Sequence, residues 1–230
     1  MKKNILLIGG STGIGKSIAD KLKKDHQVFM ASRNDPEDDQ IHHLAFDVLE
    51  DDTSSLNLPE ELHGFVYCPG SIDLKPFKMI KPETFEKEMQ LNFFGLVRSL
   101  KGVLDKLKNA NQASLIFFST VAVKTGMSFH TSVAAAKGAI EGFAKSMAAE
   151  YAPSFRVNVI APSLTDTPLA EKLLSSEEKK TKMGERHPLK RTGTASDIAN
   201  LAVYLLSEDS SWMTGQILGV DGGLSTLNVN

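Results

Sequence analysis

Short, almost continuous apolar runs alternate along this chain with longer stretches of helical periodicity. The runs fall at residues 4–8, 27–31, 43–46, 64–68, 114–118, 156–160 and 217–220, each four or five residues long. That is strand length, and a strand apolar at nearly every position is one buried on both faces. Between them, residues 15–24, 82–108, 131–151 and 195–206 carry apolar positions at helical spacing. This strand–helix rhythm predicts an α/β fold, with a parallel sheet covered by helices on both faces. No internal repeat, low-complexity tract or linker interrupts it, so one domain over 1–230 is the simplest division.

Two stretches stand outside the rhythm. Residues 34–43 connect the second and third strands in the space of a loop, and Asp35, Glu37, Asp38 and Asp39 make it acidic. It reads as a solvated surface loop. Residues 169–191 mix Glu, Lys and Arg with a leucine pair. They fit either a lid over a substrate pocket or an exposed helix with ordinary ion pairs.

Composition narrows the class. With 41% hydrophobic and 23% charged residues and a net charge of −2, the 230-residue chain has the balance of a globular protein. That charge gives no reason to expect nucleic acid or an anionic membrane as a partner. Cys68 is the single cysteine, which excludes an intrachain disulfide and fits a reducing compartment. Lys2 and Lys3 precede four apolar residues, but Gly9 and Gly10 end that run too soon for a signal peptide. A cytoplasmic location and no metal site are expected.

The first strand leads into Gly9-Gly10-Ser11-Thr12-Gly13-Ile14-Gly15, which opens a helix. Glycines there allow a tight turn, close approach of backbone to a pyrophosphate, and close helix–strand packing. The helix start then offers free N–H groups and a positive dipole end to phosphate. Ser32-Arg33 ends the second strand, where a carboxylate would accept hydrogen bonds from the ribose 2′-hydroxyl of NAD. Arg33 instead offers a guanidinium to a 2′-phosphate, so NADP(H) is favoured over NAD(H). Asp35 is near enough in sequence to compete for it. Asp47, followed by Val48, is placed either to accept from the adenine amino group or to cap its own turn.

Further motifs follow in order. Asn92 lies in Leu91-Asn92-Phe93-Phe94-Gly95, and Lys137 in Ala134-Ala135-Ala136-Lys137-Gly138-Ala139. Arg156-Val157-Asn158-Val159-Ile160-Ala161-Pro162, Thr165-Asp166-Thr167-Pro168, Thr214-Gly215-Gln216 and Val220-Asp221-Gly222-Gly223 complete the set. Together they resemble the short-chain dehydrogenase/reductase family over essentially the whole chain. The resemblance implies a doubly wound, Rossmann-type sheet of seven parallel strands, a small-molecule substrate, and a homo-oligomer, tetramer or dimer. It implies that Asn92 helps hold a water connected to the lysine. Lys137 would bind the nicotinamide ribose and lower a tyrosine pKa. Thr120 would hydrogen-bond the substrate oxygen where the family has serine. Gly70, Pro162, the backbone at Thr165 and the Thr167 hydroxyl belong to the implied cofactor site. Three smaller departures are Ile8 for threonine, Tyr67-Cys68-Pro69-Gly70 for Asn-Asn-Ala-Gly, and Ser163 for glycine after Pro162.

The large departure is Val133, which stands four residues before Lys137 where the family has its tyrosine. Valine has no proton to donate. His130, seven residues before Lys137, returns to nearly the same helix face, and histidine donates protons near neutral pH. The related enoyl-thioester reductases place their tyrosine at that spacing. Thr131 and Ser132 are the hydroxyl residues placed to cap this helix. Two functions remain open: an NADP(H)-dependent oxidoreductase with an atypical catalytic set, or a catalytically silent NADP(H)-binding sensor or partner subunit.

Overall fold

The computed structural model describes residues 2–228. Seven strands form one parallel sheet: β1 (Asn4–Ile8), β2 (Gln27–Ser32), β3 (Ile41–Ala45), β4 (Gly64–Tyr67), β5 (Ala113–Phe118), β6 (Phe155–Pro162) and β7 (Ile217–Val220). Their order is β3-β2-β1-β4-β5-β6-β7, and each neighbouring pair is parallel. The chain winds from β1 to one edge, returns beside β1 at β4, and winds to the other edge. That reversal opens a crevice beyond the carboxyl ends of β1 and β4, where ligands bind in such sheets.

Alternation along the strands sorts side chains into two cores. Leu6, Ile8, Phe65, Leu115 and Phe117 pack with Leu100 and Val103 of α3 (Gly95–Asn109) and Ile140 of α5 (Thr131–Tyr151). On the opposite face, Ile5, Leu7, Val66 and Ile116 pack with Ile18 and Leu22 of α1 (Gly13–Leu22) and with Ile198 and Leu205 of α7 (Ala195–Leu206). The doubly wound seven-stranded fold expected from the sequence is the one observed. Among the described residues no helix is long and apolar enough to cross a membrane.

Some elements differ from the sequence reading: α1 forms at Gly13–Leu22 rather than 15–24, and β6 at Phe155–Pro162 rather than 156–160. β3 begins at Ile41, ahead of the expected 43, because it is the sheet edge and its outer positions are half-solvated. His42 is held there by stacking on Phe29, with ring centroids 4.8 Å apart. The stretch 82–108 is helical throughout, as its periodicity predicts, but it is not one regular α-helix. α2 (Pro82–Met89) passes through a wide turn at Gln90–Phe94 before α3. The turn widens around Tyr67, whose hydroxyl donates to the Leu91 carbonyl at 2.6 Å. A Cβ added at Gly95 would sit 2.4 Å from that hydroxyl, so only glycine lets the helix pass it.

Arg156 of β6 is buried and ties the sheet to the end of α7. Its guanidinium donates to the carbonyls of Leu205 (3.0 Å), Ser210 (3.0 Å) and Ser207 (3.1 Å), and to the Ser210 hydroxyl (2.8 Å). Arg156→Met removes these four charge-assisted bonds, although Leu205 O still accepts from Ser114 Oγ (2.7 Å), Ser207 O from Ser210 Oγ (3.1 Å) and Ser210 O from the Met213 N–H (2.9 Å). A loss on the order of 3 kcal/mol is expected in denaturant unfolding. An unchanged midpoint would mean that the remaining donors, Ser114 Oγ, Ser210 Oγ and the Met213 N–H, satisfy those carbonyls unaided.

Candidate functional site

The glycine turn between β1 and α1 sits in the crevice. Gly9, Gly10 and Gly13 have φ of +74°, +110° and +60°, the left-handed region open to glycine. A Cβ at Gly15 would lie 2.4 Å from the Gly10 Cα, so turn and helix touch backbone to backbone. Thr12 holds the N-cap position of α1 without a side-chain cap bond, which leaves the first helical N–H groups open to an anion. A Cβ at Gly13 would lie 3.5 Å from Thr167, so the loop after β6 stands directly across from the turn.

One cavity of about 1070 Å³ runs along the carboxyl ends of the strands. Gly9, Ser11, Thr12, Gly13, Ile14, Gly15, Ser32, Arg33, Asp47, Val48, Gly70, Pro162, Thr165 and Thr167 all line it. So do Thr120, His130, Val133 and Lys137. Asn92 is fully buried and stands behind the wall. Helix α6 (Glu177–Glu185) is largely exposed and carries surface ion pairs such as Lys180 with Asp166 at 3.0 Å. Its neighbours Leu169, Leu173 and Arg186 nevertheless line the cavity, so segment 169–191 is both exposed helix and cavity wall.

At one end of the cavity Arg33 is exposed and, among the described residues, free of an ion pair. Asp35 does not compete for it. Its carboxylate accepts from the Glu37 N–H at 2.8 Å and lies 3.5 Å from His43 Nδ1. Asp47 caps its own turn, accepting from the Leu49 N–H at 3.0 Å through one carboxylate oxygen.

At the other end, Val133 and Lys137 are successive turns of α5, both buried at the cavity edge. Burial pulls the Lys137 ammonium down to about 8, against the opposing charge of Glu88. A Cβ on Gly70 would be 3.5 Å from both Lys137 Nζ and Asn92 Oδ1, so these two atoms face each other across that glycine. Asn92 Oδ1 is buried without a hydrogen-bond partner. Its amide nitrogen donates to the Glu88 carbonyl (2.9 Å), the Glu88 carboxylate (2.8 Å) and the Ser71 hydroxyl (3.2 Å). An orphaned buried acceptor beside a buried cation fits a bound molecule that carries hydroxyls, as a ribose does. Thr120 caps the short helix α4 (Val121–Thr125), its Oγ1 accepting from the Ala122 N–H at a long 3.3 Å, which leaves its own hydrogen free to donate.

His130, not Thr131 or Ser132, occupies the N-cap position of α5, and no side chain caps the helix. The expected hydroxyl cap fails because Ser132 is already inside the helix, its Oγ buried without a partner. His130 Nδ1 lies 2.7 Å from the Ser128 carbonyl oxygen.

A family model described as Enoyl-(Acyl carrier protein) reductase matches residues 9–225. The chain belongs to the short-chain dehydrogenase/reductase family. Among curated relatives of this short-chain dehydrogenase/reductase, the 3-oxoacyl-[acyl-carrier-protein] reductase MabA of Mycobacterium bovis is 28% identical over 234 residues, covering 97% of this chain and 93% of that protein. The ligand-free aldohexose dehydrogenase of Thermoplasma acidophilum superposes with a TM-score of 0.92 at 26% identity, covering 100% of this chain and 97% of that one. A variant of ElxO with NADPH bound gives 0.88 at 26% identity, covering 99% and 100%.

Three polar residues of this short-chain dehydrogenase/reductase were not anticipated from sequence. Glu88 lies four residues before Asn92, so helical spacing alone could have found it. Ser71 accepts from Asn92 and donates to the Glu88 carboxylate at 2.6 Å, and only the fold brings it there. His187 meets Ser163 across the cavity wall, with nothing in the spacing to announce it.

Proposed function

We propose that this chain is an NADP(H)-dependent oxidoreductase. It would move hydride between the nicotinamide and a carbonyl/alcohol pair or an activated double bond, with Val133 in the tyrosine's place. The observation that carries this reading is the continuity of one cavity from the glycine turn and Arg33 to Thr120 and Lys137. The turn and the α1 N-terminus would hold the pyrophosphate, and Arg33 the 2′-phosphate. Lys137, beside the orphaned Asn92 oxygen, would hold the ribose, and Thr165 and Thr167 the carboxamide end. Bound NADPH supplies a hydride at C4 of its nicotinamide. The chain's own part is to orient the substrate oxygen at the Thr120 hydroxyl and to supply a proton. His130 is one candidate for that proton: its Nδ1–H bond to Ser128 fixes the neutral tautomer and leaves Nε2 to exchange protons. The protein would work in the cytoplasm on a small molecule, as a homo-oligomer, a tetramer or dimer by family analogy.

A second reading, a catalytically silent NADP(H)-binding sensor or partner subunit, is favoured by Val133 alone. Calorimetric titration with NADPH and with NADH tests what both readings share. NADPH is expected to bind more tightly, and Arg33→Ala to weaken NADPH by about 10- to 100-fold while sparing NADH. Equal binding of the two nucleotides would remove Arg33 as the 2′-phosphate reader. Binding of neither would overturn both readings.

A further inference from the structure

Ser163 follows the last strand-end proline of β6, and His187 lies just beyond α6. Both line the cavity, and His187 is almost wholly buried. Ser163 Oγ and His187 Nε2 are 2.8 Å apart. On the ring's other side, Nδ1 lies 3.0 Å from the Met183 carbonyl oxygen. A carbonyl oxygen only accepts, so Nδ1 carries a hydrogen in either charge state. In the neutral ring Nε2 is therefore the acceptor, and the serine O–H points at it. In the charged ring Nε2–H donates to Ser163 Oγ, and the serine hydrogen is released for another acceptor. Base, hydroxyl and orienting carbonyl thus form a chain in which a protonated ring presents an O–H and a neutral ring withdraws it.

We propose that Ser163 and His187 deliver the proton that Val133 cannot. This rests on the oxidoreductase reading above. In the reducing direction the substrate carbonyl carbon gains hydride from a reduced nicotinamide, and the C=O π pair moves onto oxygen. That oxygen takes the Ser163 hydroxyl proton while Ser163 Oγ takes the proton on His187 Nε2. The ring is left neutral with its hydrogen on Nδ1, and water recharges it. In the oxidising direction the neutral ring accepts the alcohol proton through the same serine. Reduction therefore needs the charged ring and falls as pH rises; oxidation does the reverse. The charged groups around the ring are Arg186 beside it, Asp221 on the loop after β7, and the Arg191–Asp197 pair (2.6 Å) in the adjoining cavity.

The test combines turnover with a readout that needs none. Acetoacetyl-coenzyme A serves as the carbonyl probe, with NADPH oxidation followed across acid to alkaline pH. Ser163→Ala is expected to lower kcat by about 10²-fold and to erase the pH dependence, with the KM for NADPH held. Ser163→Thr, which keeps a hydroxyl, should restore most of the rate. His187→Gln should match Ser163→Ala, but His187 is buried, so the serine variants carry the test if it folds poorly. Side-chain ¹⁵N NMR should find the neutral His187 ring protonated at Nδ1, with its Nε2 signal moving in Ser163→Ala. An unchanged kcat and pH profile in Ser163→Ala overturns the relay. So does a ring protonated at Nε2, or a loss confined to His130→Gln. If neither the wild type nor Val133→Tyr oxidises NADPH with any carbonyl although NADPH binds, the oxidoreductase reading itself has failed and the relay falls with it.

Discussion

Val133→Tyr is expected to raise the rate of carbonyl reduction by about 10²–10⁴-fold, the usual contribution of a positioned general acid. That is roughly 3–5 kcal/mol of barrier. The phenol would stand one helical turn before Lys137, on the same face of α5 and at the edge of the same cavity. The Lys137 ammonium, largely charged at pH 7 with a value of about 8, would favour the phenolate and so ease proton release. Val133 is buried, but it borders open cavity, so a larger side chain has somewhere to go. NADPH oxidation with a ketone panel measures the outcome. A gain means that valine is the block in an otherwise working site. No gain, with NADPH still bound, favours the silent sensor or partner subunit. If the Ser163–His187 pair delivers the proton in the wild type, Ser163→Ala should cost far less in the Val133→Tyr background. The two changes would then be non-additive.

The second large effect concerns stability. Lys137→Met is expected to stabilise the fold by up to about 3 kcal/mol at neutral pH while weakening nucleotide binding. The sign follows from the direction of the shift. Burial lowers the Lys137 pKa from 10.5 to about 8, so the folded state disfavours the ammonium. Below about 8 both folded and unfolded chains carry the charge, and the burial cost is fully present. Between about 8 and 10.5 the folded chain has released the proton while the unfolded chain retains it. Unfolding then takes up a proton, and wild-type stability climbs with pH. Above 10.5 both states are neutral and the cost is gone. Thermal melts of the two proteins should therefore differ by roughly 6–12 °C at pH 7 and converge by pH 10.5. Glu88 loses a counter-charge in the variant, which trims the gain. A variant that melts at or below the wild type at pH 7 would show that Glu88 and Asn92 already compensate the ammonium. A lysine kept buried at such a cost, with an orphaned acceptor facing it, marks a place where function overrides stability.

Much of this architecture is legible in the amino-acid sequence. The strands announce themselves because a sheet covered on both faces needs apolar residues at almost every position. α5 and α7 begin and end where their periodicity does, at Thr131–Tyr151 and Ala195–Leu206. For α7 the start is sharpened by a capping box between Thr194 and Asp197. The glycine turn is equally local, since positive φ and backbone contact admit little else. The candidate site residues on α5 and along the strand ends, Val133 among them, were named through the family resemblance, and the fold gathers them along one cavity.

What the sequence by itself determined is thus which residues are buried, on which face, and where the backbone must turn, because those demands act between near neighbours. Only the tertiary structure decided which polar groups meet. It opened the helix at Gln90–Phe94 to pass Tyr67, engaged Asp35 away from Arg33, and brought Ser71 to Asn92 and Glu88. It also joined Ser163 to His187 across 24 positions of chain. Periodicity carries no record of such pairings, since a hydrogen bond between distant residues depends on how whole elements pack and on the one rotamer that lets two atoms come within reach.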